Sequence, residues 1–549
     1  MLGNKTELHG LLRQHVRNND CATLQLRLQN DTINERRDSC RLNTDTVRSW
    51  LQYCETYHGH ACRQVTTRSV SLDLINCQSL CVETYDGLRQ VPYVALSYVW
   101  GLTSESSQYS IEEINGIRRI GPFLPRVVSD AIAATKSIGF QYLWVDKFCI
   151  HKDQAKKQEQ IRHMDFVYEK ADLTIVAAAG SDENFGLPGV GTTQRSAPTL
   201  IRLGQATITW PTRDPQRTIR SSKWETRGWT FQESALSRRR LVFLEDQAYF
   251  ECNSMNCLEN IQIPLDAAHV RSRNKIGNHI RSGMLNKSQV SGIMHRDPAQ
   301  ISHEHSFYQY MSAVEQYTAR ELGQDADSLN AFEGLLRLFR RRREPLLDIW
   351  GLCYPMHCSK DVVEQYFVRS LSWYHTKGYA SSEETRPRRR QGFPSWTWAG
   401  WAGRVGYCDL SGGPSSNPIS LLRSAHLESP AGAIRGLASL GQQSRKARRG
   451  ERILRLEGRV IPKNTFDAEQ LGKRVTWHLT EACSGQVQYV LIGSLPLWRQ
   501  TLIALVLRAH STHDIWLRIG LCIIGNASWR FDCPQLDVAR CNWSILRVE

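Results

Sequence analysis

Between Tyr93 and Gly180 the chain alternates between two hydrophobic periods, and this constrains its fold more than any other feature. Tyr93 to Trp100 (YVALSYVW) is a β-rich run closed by Gly101. After a polar loop, Pro125 to Ser137 carries Val127, Val128, Ile132 and Ala133 at helical spacing. Tyr142 to Ile150 (YLWVDKFCI) is an apolar run ending in polar groups, as a buried parallel strand reads. Gln158 to Ala171 sets Ile161, Met164, Val167, Tyr168 and Ala171 at three- and four-residue steps, which predicts an amphipathic helix. Leu173 to Gly180 (LTIVAAAG) is a further buried strand. Strand, helix, strand, helix, strand predicts an α/β fold: a parallel, flavodoxin-like sheet with helices on its faces.

The remainder organises around that core. A chain of 549 residues exceeds what one hydrophobic core usually holds. Residues 1–45 read as a polar extension with weak helical periodicity around Leu24 to Leu28, and 46–260 as the α/β domain. Within it, a short helix is expected over Val47 to Tyr57, and Trp224 to Leu236 has helical character. RRLVFL and QAYFEC read as a β-hairpin, and 260–300 as an irregular insertion. Residues 261–409 look mostly helical and end in a Trp-rich segment, 410–450 read as a linker, and 451–549 as a small β-rich accessory region.

Charge and cysteine usage narrow the class. The formal net charge is +15, concentrated in Arg337 with Arg340 to Arg343, and in Arg386 with Arg388 to Arg390. Such runs are mostly solvated faces or address labels. Without a DNA-reading framework they predict nuclear entry at most, not nucleic-acid binding. The first residues are charged throughout, and no uncharged window reaches bilayer length. The 16 Cys are dispersed, unlike a secreted disulfide scaffold. The expectation is a soluble, cytoplasmic protein with no membrane span.

Ligands of doubly wound folds sit beyond the carboxyl ends of the strands. Ser97, Tyr98, Trp100 and Gly101 end the first strand, Asp146 and Cys149 the second, and Gly180 and Ser181 the third, beside a helix carrying Glu233. That convergence predicts a cleft. Each residue also has a structural reading. Arg227 and Glu233 would form an internal ion pair, and Asp146 would cap the following segment. Trp100 and Trp229 would belong to the core, since Trp is highly buried on average. Cys149 reads as a buried, inert thiol. Cys54, His58 and Cys62 fall at four-residue steps, with His60 nearby. One straight helix cannot wrap them around a tetrahedral ion, so no metal is expected. Cys252-x4-Cys257 and Cys353-x4-Cys358 are weak for similar reasons. Gly186-Leu-Pro-Gly189-Val-Gly191 lacks the strand-to-helix context of a phosphate loop.

Five segments in order resemble the heterokaryon incompatibility (HET) family of filamentous fungi. They are Tyr93-Val-Ala-Leu-Ser-Tyr-Val-Trp-Gly101, then Leu143-Trp-Val-Asp-Lys-Phe-Cys-Ile150 with Asp153, and Met164 with Tyr168 and Ala171. Arg227-Gly-Trp-Thr-Phe-Gln-Glu233 and Pro394-Ser-Trp-Thr-Trp-Ala-Gly-Trp401 follow. With the preamble Trp50-Leu51, Cys54, His58 and Cys62, the resemblance runs from Trp50 to about Trp401. Lys152 departs from it, standing where the family usually shows Gln, which bears on a helix-capping contact.

The resemblance implies an effector of non-self recognition and regulated cell death. HET domains are distantly similar to TIR domains, some of which hydrolyse NAD with a Glu on a helix opening Trp-Cys-x-x-Glu. Trp229-Thr-Phe-Gln-Glu233 is similar in spacing, with Thr230 in place of the Cys. By that resemblance Glu233 is the catalytic carboxylate, stabilising an oxocarbenium-like state. Trp100 or Trp229 would stack on a base and Arg227 would contact pyrophosphate. Ser97, Gly101 and Asp146 would line the same cleft. No cofactor is implied beyond NAD as substrate. The alternative is a non-catalytic module that signals by assembling with itself or with another incompatibility protein.

Overall fold

The computed structural model describes residues 25–28, 40–62, 70–86, 91–101, 111–114, 116–151, 153–195, 200–203, 206–209, 215–259, 265, 302–377, 386–408, 419–429, 431–437, 450–465, 475–495, 501–510, 514–525, 538 and 541–549. Lys152 and, apart from 265, the insertion expected over 260–300 lie outside these residues. The chain divides into two compact units, residues 1–295 and 296–549.

The first unit is built on a mixed sheet which, among the described residues, has ten strands. These are β1 (Leu72–Asn76), β2 (Cys81–Tyr85), β3 (Tyr93–Ser97), β4 (Ile111–Ile114), β5 (Ile117–Ile120), β6 (Tyr142–Trp144), β7 (Leu173–Ala177), β8 (Arg239–Phe243), β9 (Ala248–Cys252) and β10 (Asn256–Leu258). Their order is β10-β9-β8-β7-β3-β6-β1-β2-β5-β4. Parallel pairing is confined to the centre, where β3 pairs with β6 and β7, and β7 with β8. Numbered along the chain, these four strands lie in the order 2-1-3-4, with which flavodoxin-like sheets begin. β3 and β7 are buried along their whole length, as strands covered on both faces must be.

The expected parallel core is present, and antiparallel flanks, among them the expected β8–β9 hairpin, extend it. β1 meets β6 antiparallel, and β1–β2 and β8–β9–β10 are hairpins. Their connections are too short for the crossover that parallel pairing requires, so the sheet is mixed. The strand Gln25–Leu28 pairs antiparallel with Ala206–Thr209, which pairs with Leu200–Leu203. A strand therefore stands where weak helical periodicity was read.

Helices α1 (Thr44–Tyr57), α2 (Gly59–Cys62), α3 (Arg126–Ile138), α4 (Asp146–Cys149), α5 (Gln154–Arg162), α6 (Met164–Lys170), α7 (Pro215–Ser221) and α8 (Gly228–Leu236) complete the unit. α1 starts where Asn43 accepts the Thr46 N–H at 3.0 Å, satisfying one orphan donor of the first turn. α3 stops at Gly139, whose φ of 104° is a left-handed cap that a side chain resists. Two readings change in detail. The single helix expected over 158–171 breaks at His163 into the wholly unburied α5 and the largely buried α6. One continuous helix could not turn both faces as they are needed. The run Tyr142 to Ile150 is a strand only to Trp144, because the polar atoms of Asp146 open the turn of α4 by accepting the Lys147 N–H.

The second unit packs α9 (His303–Thr318), α10 (Glu333–Arg340) and α11 (Lys360–Leu371) with the Trp-rich segment. Trp396, Trp398 and Trp401 are fully buried. Each indole N–H is satisfied, Trp396 by the Arg452 carbonyl at 3.0 Å and Trp401 by the Ser395 carbonyl at 2.8 Å. In the β-rich part, strands Val487–Leu495, Thr501–Ala509, Ile515–Ile524, Asn542–Val548 and Ile453–Ile461 pair in succession, and the last pairs back onto the first. Strands Ser424–Glu428 and Ile434–Gly436 of the same sheet lie in the stretch read as a linker.

The arginine clusters are folded into this unit. Arg340 pairs with Asp348 at 2.6 Å, and Arg337 with Glu333 at 3.2 Å. Buried Arg342 donates to Ser306 and Gln309, while Arg388 and Arg390 share Asp325. Arg341, Arg343, Arg386 and Arg388 of the same clusters are exposed.

Candidate functional site

β3 ends at Ser97, at the point where the central strand order reverses, and there the buried polar groups of the first unit converge. The Ser97 hydroxyl donates to Glu233 and accepts from the Trp224 indole N–H at 2.7 Å. Glu233 lies on the buried side of α8 and is 5% exposed. Tyr168, from α6, donates to the Leu96 carbonyl at 3.2 Å and faces the same carboxylate. Three segments distant in sequence thus enclose one acid.

A second acid stands beside it. Asp146, at the start of α4, accepts from the Lys147 N–H at 2.7 Å and from the Trp100 indole N–H at 2.9 Å. Trp100 is 49% exposed, so the expectation that it fills the core is corrected. Its place just past the last buried turn of β3 puts the ring at the rim. Arg227 caps the amino end of α8 and donates to the Tyr98 carbonyl at 2.6 Å. Gly101 sits against Glu183, where an added Cβ would be 3.2 Å from a carboxylate oxygen. Glu183 is buried and pairs with Lys147 at 2.9 Å. Trp229 is half-buried in the first turn of α8.

Electrostatics follow from this crowding. Burial raises the Glu233 carboxyl to about 7, with the Asp146 charge adding to it. The Ser97 hydrogen bond, Arg227 and Tyr168 pull it back only in part. Burial also raises Asp146, against the hydrogen bonds from Trp100 and the Lys147 backbone. The phenols of Tyr98 and Tyr168 are held well above their ordinary value, first by burial and then by these carboxylates. Ser97→Ala removes the strongest opposing influence on Glu233. Its carboxyl should then titrate higher still, as a carboxyl ¹³C shift titration of labelled protein would show. An unchanged or lower midpoint would mean that Ser97 does not hold this acid.

The structure therefore brings Ser97, Trp100, Asp146, Arg227 and Glu233 to one edge of the sheet, with Gly101 beside Glu183 and Trp229 on the same helix as Glu233. Sequence reasoning missed Trp224 as a donor, and it missed the Lys147–Glu183 pair. The Trp224 signal was its position one turn before the Arg227 motif. Nothing local marked Glu183, which comes from a loop. Cys149 is buried and its thiol is pushed well up by burial, as its apolar run implied. The loop from Gly186 to Gly191 wraps an internal carboxylate. Asp130 accepts from Leu187 N at 2.9 Å and from Thr193 Oγ1 at 2.5 Å. Asp153 caps α5 by accepting the Lys156 N–H at 3.0 Å.

Buried Glu233 and half-buried Asp146 thus meet beyond the carboxyl ends of the central parallel strands of an α/β domain. Residues 93–233 match the family model described as heterokaryon incompatibility protein (HET), and the chain carries a HET domain over that span. The match begins with β3 and ends on Glu233, so it encloses every residue of the centre just described. No curated protein and no solved structure matches the chain. Among the described residues no helix is long and apolar enough to cross a membrane.

Proposed function

We propose that this protein is an intracellular effector of heterokaryon incompatibility that triggers regulated cell death by hydrolysing NAD at the Asp146–Glu233 centre. The observation that carries the reading is Glu233 itself, a buried carboxyl raised to about 7 beside a second acid. A carboxyl poised near neutral pH beside the carboxyl ends of parallel strands marks a candidate functional site. Cleaving the nicotinamide N-glycosidic bond builds positive charge on the ribose, which the Glu233 carboxylate stabilises. Asp146 holds the Trp100 indole at the rim, where the exposed ring stacks on a base. Arg227, at the amino end of α8, supplies positive charge for the pyrophosphate.

A second reading has its own support. Glu233 is 5% exposed and hydrogen-bonded to Ser97, as an internal lock would be. In that case the domain signals by assembling with itself or with another incompatibility protein. Induced expression of wild type and Glu233→Gln in a fungal host, with NAD and viability followed together, separates the two. Killing with NAD collapse in the wild type alone supports hydrolysis. Killing by both proteins at constant NAD overturns it in favour of assembly.

A further inference from the structure

Away from that centre, the first unit gathers three cysteines and a histidine at the edge of its sheet. In one straight helix Cys54 and Cys62 would lie about 12 Å apart along the axis. The chain instead leaves helical geometry at His58 (φ −107°, ψ 26°), between α1 and α2. This break removes the objection drawn from helical spacing. A fourth group arrives from far along the chain, Cys252 at the end of β9. One ligand atom from each of Cys54, His58, Cys62 and Cys252 lies within 4.8 Å of all the others. The side chain of His60 lies outside the described part.

We propose that Cys54, His58, Cys62 and Cys252 bind one zinc ion in a closed, structural site. Tetrahedral zinc with sulfur at about 2.3 Å and nitrogen at about 2.0 Å needs sulfur–sulfur edges of about 3.8 Å and nitrogen–sulfur edges of about 3.5 Å. His58 Nδ1 and Cys252 Sγ are 3.4 Å apart, so this edge is already formed. None of the three cysteines is in a disulfide. Soft thiolates with one imidazole select zinc over the hard divalent cations. Four protein ligands leave no open position, which separates a structural site from a catalytic one.

The surroundings direct hydrogen-bond donors and a positive charge at the sulfurs. The backbone N–H groups of Ser254 and Met255 point at Cys252 Sγ at 3.4 and 3.3 Å, from the turn between β9 and β10. The Arg239 guanidinium, 5% exposed, donates to Cys54 Sγ at 3.1 Å. Three thiolates, a neutral imidazole and a divalent ion leave one negative charge, and the buried guanidinium compensates it. Half-buried His58 leaves the ion an entry path, while the three cysteines are buried. The ion fastens α1 and α2 to the β9 edge of the sheet, where Trp50 packs on Phe250 at 5.7 Å.

The test is metal analysis of the full chain purified under reducing conditions. About one zinc per chain is expected in the wild type and in Cys257→Ser, a neighbour outside the cluster. Cys62→Ser and Cys252→Ser should retain essentially none. Since those variants can also unfold, cobalt is added to chelator-stripped wild type and to His58→Cys. The wild type should show the visible bands of a tetrahedral, thiolate-rich site, and His58→Cys should shift them toward an all-thiolate site. Arg239→Ala should still bind zinc, with affinity lower by roughly 10- to 100-fold. A folded, reduced chain that takes up neither zinc nor tetrahedral cobalt overturns the proposal. So does a disulfide among these cysteines in the protein as isolated.

Discussion

Glu233→Gln should make the folded protein more stable above neutral pH and, at the same time, inactive. The wild-type carboxyl is raised from its ordinary value of 4.5 to about 7, chiefly by burial. A raised acid contributes most to folding below its unfolded value, and that contribution is lost as pH climbs through the folded value. Between about 4.5 and about 7 the wild type should therefore lose roughly 3 kcal/mol through this one group. Gln keeps an acceptor for the Ser97 hydroxyl and has nothing to ionise, so the variant should lack this loss while sharing the pH dependence of every other group. Denaturant midpoints at about pH 5 and about pH 8 read the difference directly. Parallel pH dependence in the two proteins would show that Glu233 does not titrate as a buried acid. On the hydrolytic reading, the same substitution lowers NAD turnover by about 10²- to 10⁴-fold. A residue kept at a cost to stability and needed for turnover is what a functional site looks like.

Trp398→Ala should cost about 3–5 kcal/mol, whereas Trp100→Ala should cost less than about 1 kcal/mol. Both residues lie within a family-like motif, and composition alone does not separate them. Trp398 is fully buried, donates to the Tyr310 hydroxyl and the Gly351 carbonyl at 3.2 Å, and meets Phe332 edge-on at 5.3 Å. Its removal leaves a cavity among buried aromatic rings, while the Gly351 carbonyl keeps its hydrogen bond from the Tyr310 hydroxyl at 2.8 Å. Trp100 is 49% exposed and gives up one hydrogen bond, to Asp146. Denaturant unfolding of both variants tests the contrast. Equal destabilisation would return Trp100 to the core and remove the stacking surface from the proposed mechanism. If the contrast holds, Trp100→Ala should still impair function, because a rim aromatic acts on a ligand and not on the fold.

How far the sequence could be read depended on the range of the forces involved. β3, α3, β6 and β7 were legible because period and burial are local: a strand covered on both faces must be apolar throughout, and β3 and β7 are. The α1 helix and the β8–β9 hairpin were legible for the same reason. The α5–α6 break at His163 was not, since it answers to which face the sheet buries. The antiparallel pairing of β1 with β6 was hidden, because periodicity marks a strand without naming its neighbour. At the site, Ser97 and Asp146 were picked out by their places at strand ends, and Arg227 and Glu233 through the family resemblance. Glu183 and the Trp224 donor were not, because each reaches the site from a loop.

The cysteine cluster shows the limit from the other side. The four-residue steps of Cys54, His58 and Cys62 were visible, yet they argued against a shared ion as long as one straight helix was assumed. Only the bend at His58 and the arrival of Cys252 from the β9 edge set four ligand atoms within 4.8 Å. By itself the sequence determined the strands and helices of the central core and which strand ends carry polar groups, because side-chain period and capping act over a few residues. The tertiary structure alone decided the mixed sheet, the exposure of Trp100, the burial that raises Glu233 and the meeting of Cys252 with α1 and α2. Those depend on desolvation and on distances between residues far apart in the chain, which no local pattern encodes.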